Sequence, residues 1–314
     1  MYSRRDLASF TFAGLAAPLV GAARAVRAAA GTPAAGGVRL GVQTSSFRDL
    51  PRRPDADTVD TLIQALTACD AVECELSAPL LEPVYGAHTS AHHAAMSSMS
   101  PQMMRRELRK WRLRTPMTHF STIGIRLQKA GVAVHAYNYS PDRTFSDEEI
   151  DRGFSMAKAL GAGLISASLS PDVAKRVAPF ADKHQTVVAL SGLGRVNDRG
   201  GAADTADLDA ALTLSPYFKV NVDIGEFTAS HLDPVAYISR HHAEIASVHL
   251  TDCRRDGGAA VPWGEGDAPI REVLQLLQRE RWPIRAYVEY AYRGPGTPID
   301  EVKRCLAYAK QALA

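Results

Sequence analysis

The sequence predicts a single-domain α/β fold, a (β/α)8 TIM barrel with an extended insertion after its second strand. Three observations predict it. From Val38 to the C-terminus, short apolar strands alternate with amphipathic helical stretches. Eight such units fit within a chain of 314 residues, and 46% hydrophobic content supplies a core. No Gly-x-Gly-x-x-Gly follows the first strand, which argues against an open dinucleotide-binding sheet.

The strands begin with VRLGVQTSS (from Val38), AVECEL (from Ala71), VAVHAYNYS (from Val132) and GLISASLS (from Gly163). TVVALSGLG (from Thr186), FKVNVDIG (from Phe218), IASVHLTD (from Ile245) and RAYVEYAY (from Arg285) complete the set. Helices fit between them at Thr58 to Cys69, Ser146 to Leu160, Pro171 to Lys183 and Thr205 to Leu214. Three more fit at Asp233 to Glu244, Pro269 to Glu280 and Asp300 to Ala312. The stretch between Leu76 and Val132 is far longer than a barrel connection needs. It carries a basic helix around RRELRKWRLR and a tract rich in His, Ser and Met. His88, His92 and His93 there read either as a metal-binding tract or as part of a lid or oligomer contact.

Residues 1–36 differ from the rest. Arg4 and Arg5 precede an uncharged apolar run from Thr11 to Ala23, then small residues with cleavage points near Ala25 and Ala28. This order predicts a twin-arginine export signal and a periplasmic or secreted protein. The run is too short to span a bilayer, so no membrane anchor is expected. Cys69, Cys74, Cys253 and Cys305 show neither zinc-like spacing nor enough pairs for a disulfide scaffold, and read as buried thiols. With 36 Lys and Arg against 34 Asp and Glu, the net charge is +2. No basic stripe with interleaved aromatics is present, so no nucleic-acid partner is expected and a small neutral partner fits better.

Strand side chains alternate between the helix layer and the barrel axis. In VNVDIG the aliphatics Val220, Val222 and Ile224 face out, so Asn221 and Asp223 face in. The same parity turns Ser247, His249 and Thr251 inward on the seventh strand, and Tyr287 and Glu289 on the eighth. Asp223, His249 and Glu289 therefore converge on the C-terminal mouth, where barrels of this kind keep their chemistry. Oxygen and imidazole donors without thiolate suit a divalent ion such as Mn, Zn, Co or Mg.

The runs VDIGEFTASHLDPVAYISRHHAEIASVHLTD, PWGEGDAPIREVL and YVEYAYRG resemble the xylose isomerase-like TIM barrels, the sugar phosphate isomerase/epimerase superfamily. The resemblance covers nearly the whole chain after the leader. It implies one divalent ion held by an acid or His of the fifth strand, an Asp of the sixth, a His of the seventh and a Glu of the eighth. Asp223, His249 and Glu289 match the last three. The fifth strand departs from the pattern, reading Ser191-Gly192-Leu193, and Glu226 stands where relatives carry His after Asp-Ile-Gly. Either Glu226 compensates, as a ligand or a relocated acid/base, or the chain is a non-catalytic carbohydrate-binding or partner subunit with a decayed site. Metal-dependent endonucleases of the same barrel rank lower, because this mouth supplies few histidines.

The implied chemistry is proton transfer on a carbohydrate, by isomerisation, epimerisation or elimination from an oxidised (keto) sugar. Glu289, Glu226 and Glu75 are the candidates that move the proton. Glu73 reads as a barrel-bottom ion pair with Arg39 and His135 as a core histidine. Tyr137 and Asn138 are candidate substrate hydrogen-bonders, and Trp263 either stacks on a sugar face or plugs its Gly-rich turn. Arg254 and Arg255 either contact substrate or lie in a solvated loop.

Overall fold

A computed structural model describes residues 36–50, 57–83, 100–192, 205–255 and 258–314. The predicted export signal, up to residue 35, and His88, His92 and His93 lie outside the described residues. Eight parallel strands close into a barrel in simple sequence order, with β8 pairing back onto β1. They are β1 (Leu40–Gln43), β2 (Glu73–Ser77), β3 (Ala133–Asn138) and β4 (Leu164–Ser168), followed by β5 (Val187–Ser191), β6 (Phe218–Asp223), β7 (Ile245–Leu250) and β8 (Arg285–Val288). The predicted (β/α)8 architecture is the observed one.

Helices α1 (Thr58–Ala68) and α2 (Ala78–Leu81) accompany the first two strands, and the insertion adds α3 (Pro101–Arg114) and α4 (Met117–Lys129). The remainder are α5 (Asp147–Leu160), α6 (Pro171–His184), α7 (Thr205–Leu212), α8 (Ile224–Ala229), α9 (Pro234–His241), α10 (Ile270–Glu280) and α11 (Pro298–Ala312). Local chemistry sets their ends. A reciprocal capping box between Ser146 and Glu149 starts α5, and Gly161 ends it in the left-handed conformation at φ 81°. Among the described residues, no helix is long and apolar enough to cross a membrane.

The main core lies between barrel and helices, where Val220, Val222, Val248, Leu250 and Val288 are fully buried. A smaller inner cluster of Ala136, Leu164, Ala189 and Tyr287 fills the barrel axis. Gly41 makes room for it, because a Cβ there would lie 2.7 Å from the Tyr287 ring. At the base, Glu73 accepts from Arg285 Nε at 2.9 Å, so its ion-pair partner is Arg285 and not Arg39.

The parity read from sequence holds on β6 to β8, and on β3 the regular alternation is interrupted. There Cys74 pairs with Val134 but Glu75 pairs with Ala136, so His135 is an extra residue in the ladder. Beyond this bulge Asn138 faces the axis and Tyr137 turns into the helix layer. The Tyr137 hydroxyl points to Met156 Sδ at 3.9 Å, and its ring stacks on Tyr139 with centroids 5.7 Å apart. Tyr137 is 1% exposed, so the expected substrate contact is not presented at the mouth. His135 bonds the Tyr287 hydroxyl inside the barrel, as a satisfied core histidine.

Candidate active site

The site is assembled at the C-terminal ends of β6, β7 and β8. Asp223 pairs with His249, which pairs with Tyr287, so the strand register places the inward side chains side by side. One ligand atom each from Asp223, His249 and Glu289 lies within 4.8 Å of the others.

Asp223 ends β6 and caps α8. Its Oδ1 accepts from Gly225 N and Glu226 N at 3.0 Å each and from Thr251 Oγ1 at 2.6 Å. That oxygen is saturated and the carboxylate is locked, leaving Oδ2 for the cluster. Burial, and then the charges of Glu226 and Glu289, push its carboxyl up to about 6.

His249 is 4% exposed and held at both ring nitrogens. Nε2 lies 3.0 Å from each oxygen of Glu75, and Nδ1 lies 3.2 Å from Glu289 Oε2. Burial works to lower the basicity of the ring, but the Glu75 and Glu289 carboxylates outweigh it and hold the ring well above its usual range. Glu289 is oriented by Ser45 Oγ, which donates to Oε1 at 2.9 Å, and by its own N–H, which donates to Leu250 O. Burial raises the Glu289 carboxyl, and hydrogen bonding to His249 leads the effects that lower it overall, with Ser45 and Arg48 adding to them.

Glu75 occupies a different position from the one expected of a proton carrier. It is fully buried, with both oxygens on His249 and Oε1 also accepting from Asn138 Nδ2 at 3.0 Å. Asn138 in turn donates to Ser166 Oγ at 3.1 Å. Glu75 and Asn138 form the layer beneath the cluster that fixes the imidazole, a carboxylate-histidine arrangement typical of metal ligands. Replacing Glu75 by Gln keeps the shape and removes the charge. The expected result is a loss of about 10- to 100-fold in divalent-ion affinity, the range for such supporting partners, measured by titrating Co(II) into wild type and variant.

Glu226 reaches from the first turn of α8 toward β5. Gly192 sits there with φ +50°, and a Cβ on it would lie 2.6 Å from Glu226 Oε2. The carboxylate thus fills the space beside the end of β5, where Ser191 supplies only a hydroxyl, 3.2 Å from that of Ser168. Ser45 and Arg48 are site residues that sequence reasoning missed. A 3-10 turn at Thr44–Phe47 brings Ser45 to Glu289, and Arg48 Nη1 donates to Tyr290 O at 2.8 Å. The polar TSSF run after the first strand is the one signal that points to them.

Trp263 and Arg254 are not gathered into the cluster. Trp263 packs edge-on against Tyr308 of α11 with centroids 5.9 Å apart, which makes it the plug of its turn. Asp252 shapes that turn by accepting from Gly264, Gly266 and Ala268 N–H groups. Arg254 is exposed beside the Cys253–Ala260 bridge, and the Arg255 N–H donates to Asp267. All four cysteines are free and buried, and Cys253 Sγ donates to Gly225 O.

The residues present fit a divalent cation. Asp223 and Glu289 each bring a carboxylate oxygen within 4.8 Å of a ring nitrogen of His249, a donor set that suits a cation. Burial first, and then the charges of Glu226 and Glu289, raise Asp223, a charge balance that suits one as well.

No family model and no curated protein matches the chain. Solved structures do. A xylose isomerase domain protein from Alicyclobacillus acidocaldarius subsp. acidocaldarius is 14% identical over 88% of this chain and 99% of its own, with a TM-score of 0.57. The 3-keto-D-glucoside 4-epimerase of E. coli is 12% identical over 87% and 99%, with a TM-score of 0.60. A probable 3-DHS dehydratase from Bacillus anthracis is 13% identical over 86% and 99%, with a TM-score of 0.57. The structural neighbours are xylose isomerase-like and sugar phosphate isomerase/epimerase barrels, the group the sequence resembles. At these identities the likeness establishes the shared barrel.

Proposed function

We propose that the chain is a divalent-metal-dependent enzyme that moves a proton on a carbohydrate, by isomerisation, epimerisation or elimination, with an oxidised (keto) sugar as the substrate class. The observation that carries this reading is the convergence of Asp223, His249 and Glu289 ligand atoms within 4.8 Å at the barrel mouth. Neighbours named as a keto-glucoside epimerase and an L-ribulose 3-epimerase support it.

When bound by Asp223, His249 and Glu289, a Mn, Zn, Co or Mg ion supplies Lewis acidity toward a carbonyl or vicinal hydroxyl. Glu75 holds the imidazole through Nε2, and Ser45 holds Glu289. Glu75 lies beneath His249 with both oxygens on the imidazole, and we assign proton transfer to Glu226, whose carboxylate stands against Gly192 at the end of β5. It approaches from the β5 side, and the Ser168 and Ser191 hydroxyls next to it are placed for sugar hydroxyls.

The test is elemental analysis of protein purified without chelator, beside Asp223→Ala and His249→Ala, followed by solvent-deuterium exchange into keto sugars. The expected result is about one divalent ion per chain, lost in both variants, and exchange in the parent alone. A parent that takes up no Mn, Co or Zn on reconstitution sinks the catalytic reading and leaves a carbohydrate-binding or partner subunit. Export through the leader belongs to the same proposal, and full-length protein that stays in the cytoplasm of expressing cells refutes that part.

A further inference from the structure

Outside the barrel mouth, α3 and the segment leading into α5 enclose a cleft of about 360 Å³. Its α3 wall carries Arg105 and Arg106, with Arg109 four and three residues further on and Arg112 three beyond that, a spacing that turns them toward one side of the helix. Phe145 and Glu149 stand opposite.

The acidic groups of this cleft are already engaged. Glu149 accepts from Arg109 Nε at 2.8 Å and from Arg112 Nη1 at 3.1 Å, and also closes the α5 capping box. Asp142 Oδ1 accepts from Thr144 N at 2.7 Å and Thr144 Oγ1 at 2.6 Å. Arg112 is further held by both oxygens of Glu82, with its guanidinium 4.2 Å from the Phe145 centroid. Two guanidinium groups remain. Arg105 and Arg106 line the cleft, are exposed, and have no ion pair or hydrogen bond among the described residues.

We infer that this cleft is a binding site for a small oxyanion, a carboxylate or a tetrahedral phosphate- or sulfate-like group, gripped by Arg105 and Arg106 above an anchored floor of Arg109 and Arg112. Four guanidinium groups against Asp142, Glu149 and the Glu82 that holds Arg112 leave a net positive cavity. Guanidinium forks match planar and tetrahedral oxyanions in two-point contacts. The volume falls in the range of small-molecule sites, and the fixed floor means that only two side chains must be ordered on binding. This site is independent of the chemistry proposed for the barrel mouth.

The test is the thermal midpoint of the full chain titrated with sodium sulfate or with succinate, ionic strength held constant with NaCl. A saturable rise with either anion is expected, because a ligand that binds only the native state stabilises it. A response to sulfate alone assigns a tetrahedral group, and a response to succinate alone assigns a carboxylate. In Arg105→Gln/Arg106→Gln the apparent affinity should fall at least about tenfold, given the strength of charge-assisted hydrogen bonds. The single Arg106→Gln variant, which alters one exposed and unpaired side chain, guards against a folding artefact in the double variant. No saturable response beyond that of NaCl, or an equal response in the double variant, overturns the inference.

Discussion

Glu226→Gln is expected to lower the rate of solvent-proton exchange into a keto sugar by about 10²- to 10⁴-fold, the usual contribution of one general acid/base. The substitution keeps the shape over Gly192, just past β5, where the carboxylate fills the space that a side chain at that position would take. It removes the negative charge and with it the ability to accept and return a proton. Metal content should stay at the parent level, because the converging ligand atoms belong to Asp223, His249 and Glu289. Measuring both quantities on one preparation separates two roles. Loss of the ion together with the rate would make Glu226 the replacement for the missing β5 ligand, and an unchanged rate would remove it from the chemistry.

The second large effect concerns stability. Arg112→Ala should destabilise the fold by about 3–5 kcal/mol, the penalty for leaving buried carboxylates without their cation. Arg112 is 9% exposed, bridges Glu82 with two hydrogen bonds and Glu149 with a third, and so ties the insertion to the body of the barrel. Chemical denaturation of wild type and variant measures the difference.

The pH dependence gives an independent check. Burial alone would raise the Glu149 carboxyl, but the Ser146 backbone N–H and then Arg109 and Arg112 hold it below the ordinary value. Its contribution to stability is therefore complete above the unfolded value of about 4.3 and is lost as pH falls through the lower folded value. Without Arg112 the folded carboxyl moves up toward the unfolded value, so less stability should be lost on acidification and the loss should be complete at a higher pH than in wild type. An acid limb that superimposes on that of wild type would contradict the assignment.

The barrel and much of its mouth are legible in the amino-acid order, because their signals are local. A strand alternates sides with period two, so VNVDIG, SVHLT and YVEY place Asp223, His249 and Glu289 on the axis wherever their neighbours lie. Helix boundaries follow capping chemistry within a few residues, as at Ser146 and Thr297. Tyr137 departs from its expected role because the parity of β3 depends on a pairing with β2, and the bulge at His135 inverts every side chain beyond it. Glu73 meets Arg285 for a related reason, since strands distant in sequence become adjacent only when the barrel closes.

The sequence by itself determined the number and order of the strands, the side of the sheet that the last three strands offer to the axis, and the convergence of Asp223, His249 and Glu289. The tertiary structure alone decided that Glu75 lies under His249 as its support, 174 residues away in the chain. It also decided that Glu226 stands over the end of β5 and that Ser45 steadies Glu289. The physical reason is range. Periodicity and capping are set by neighbours within one turn or one strand, whereas these contacts exist only after barrel closure brings distant strand ends to one mouth.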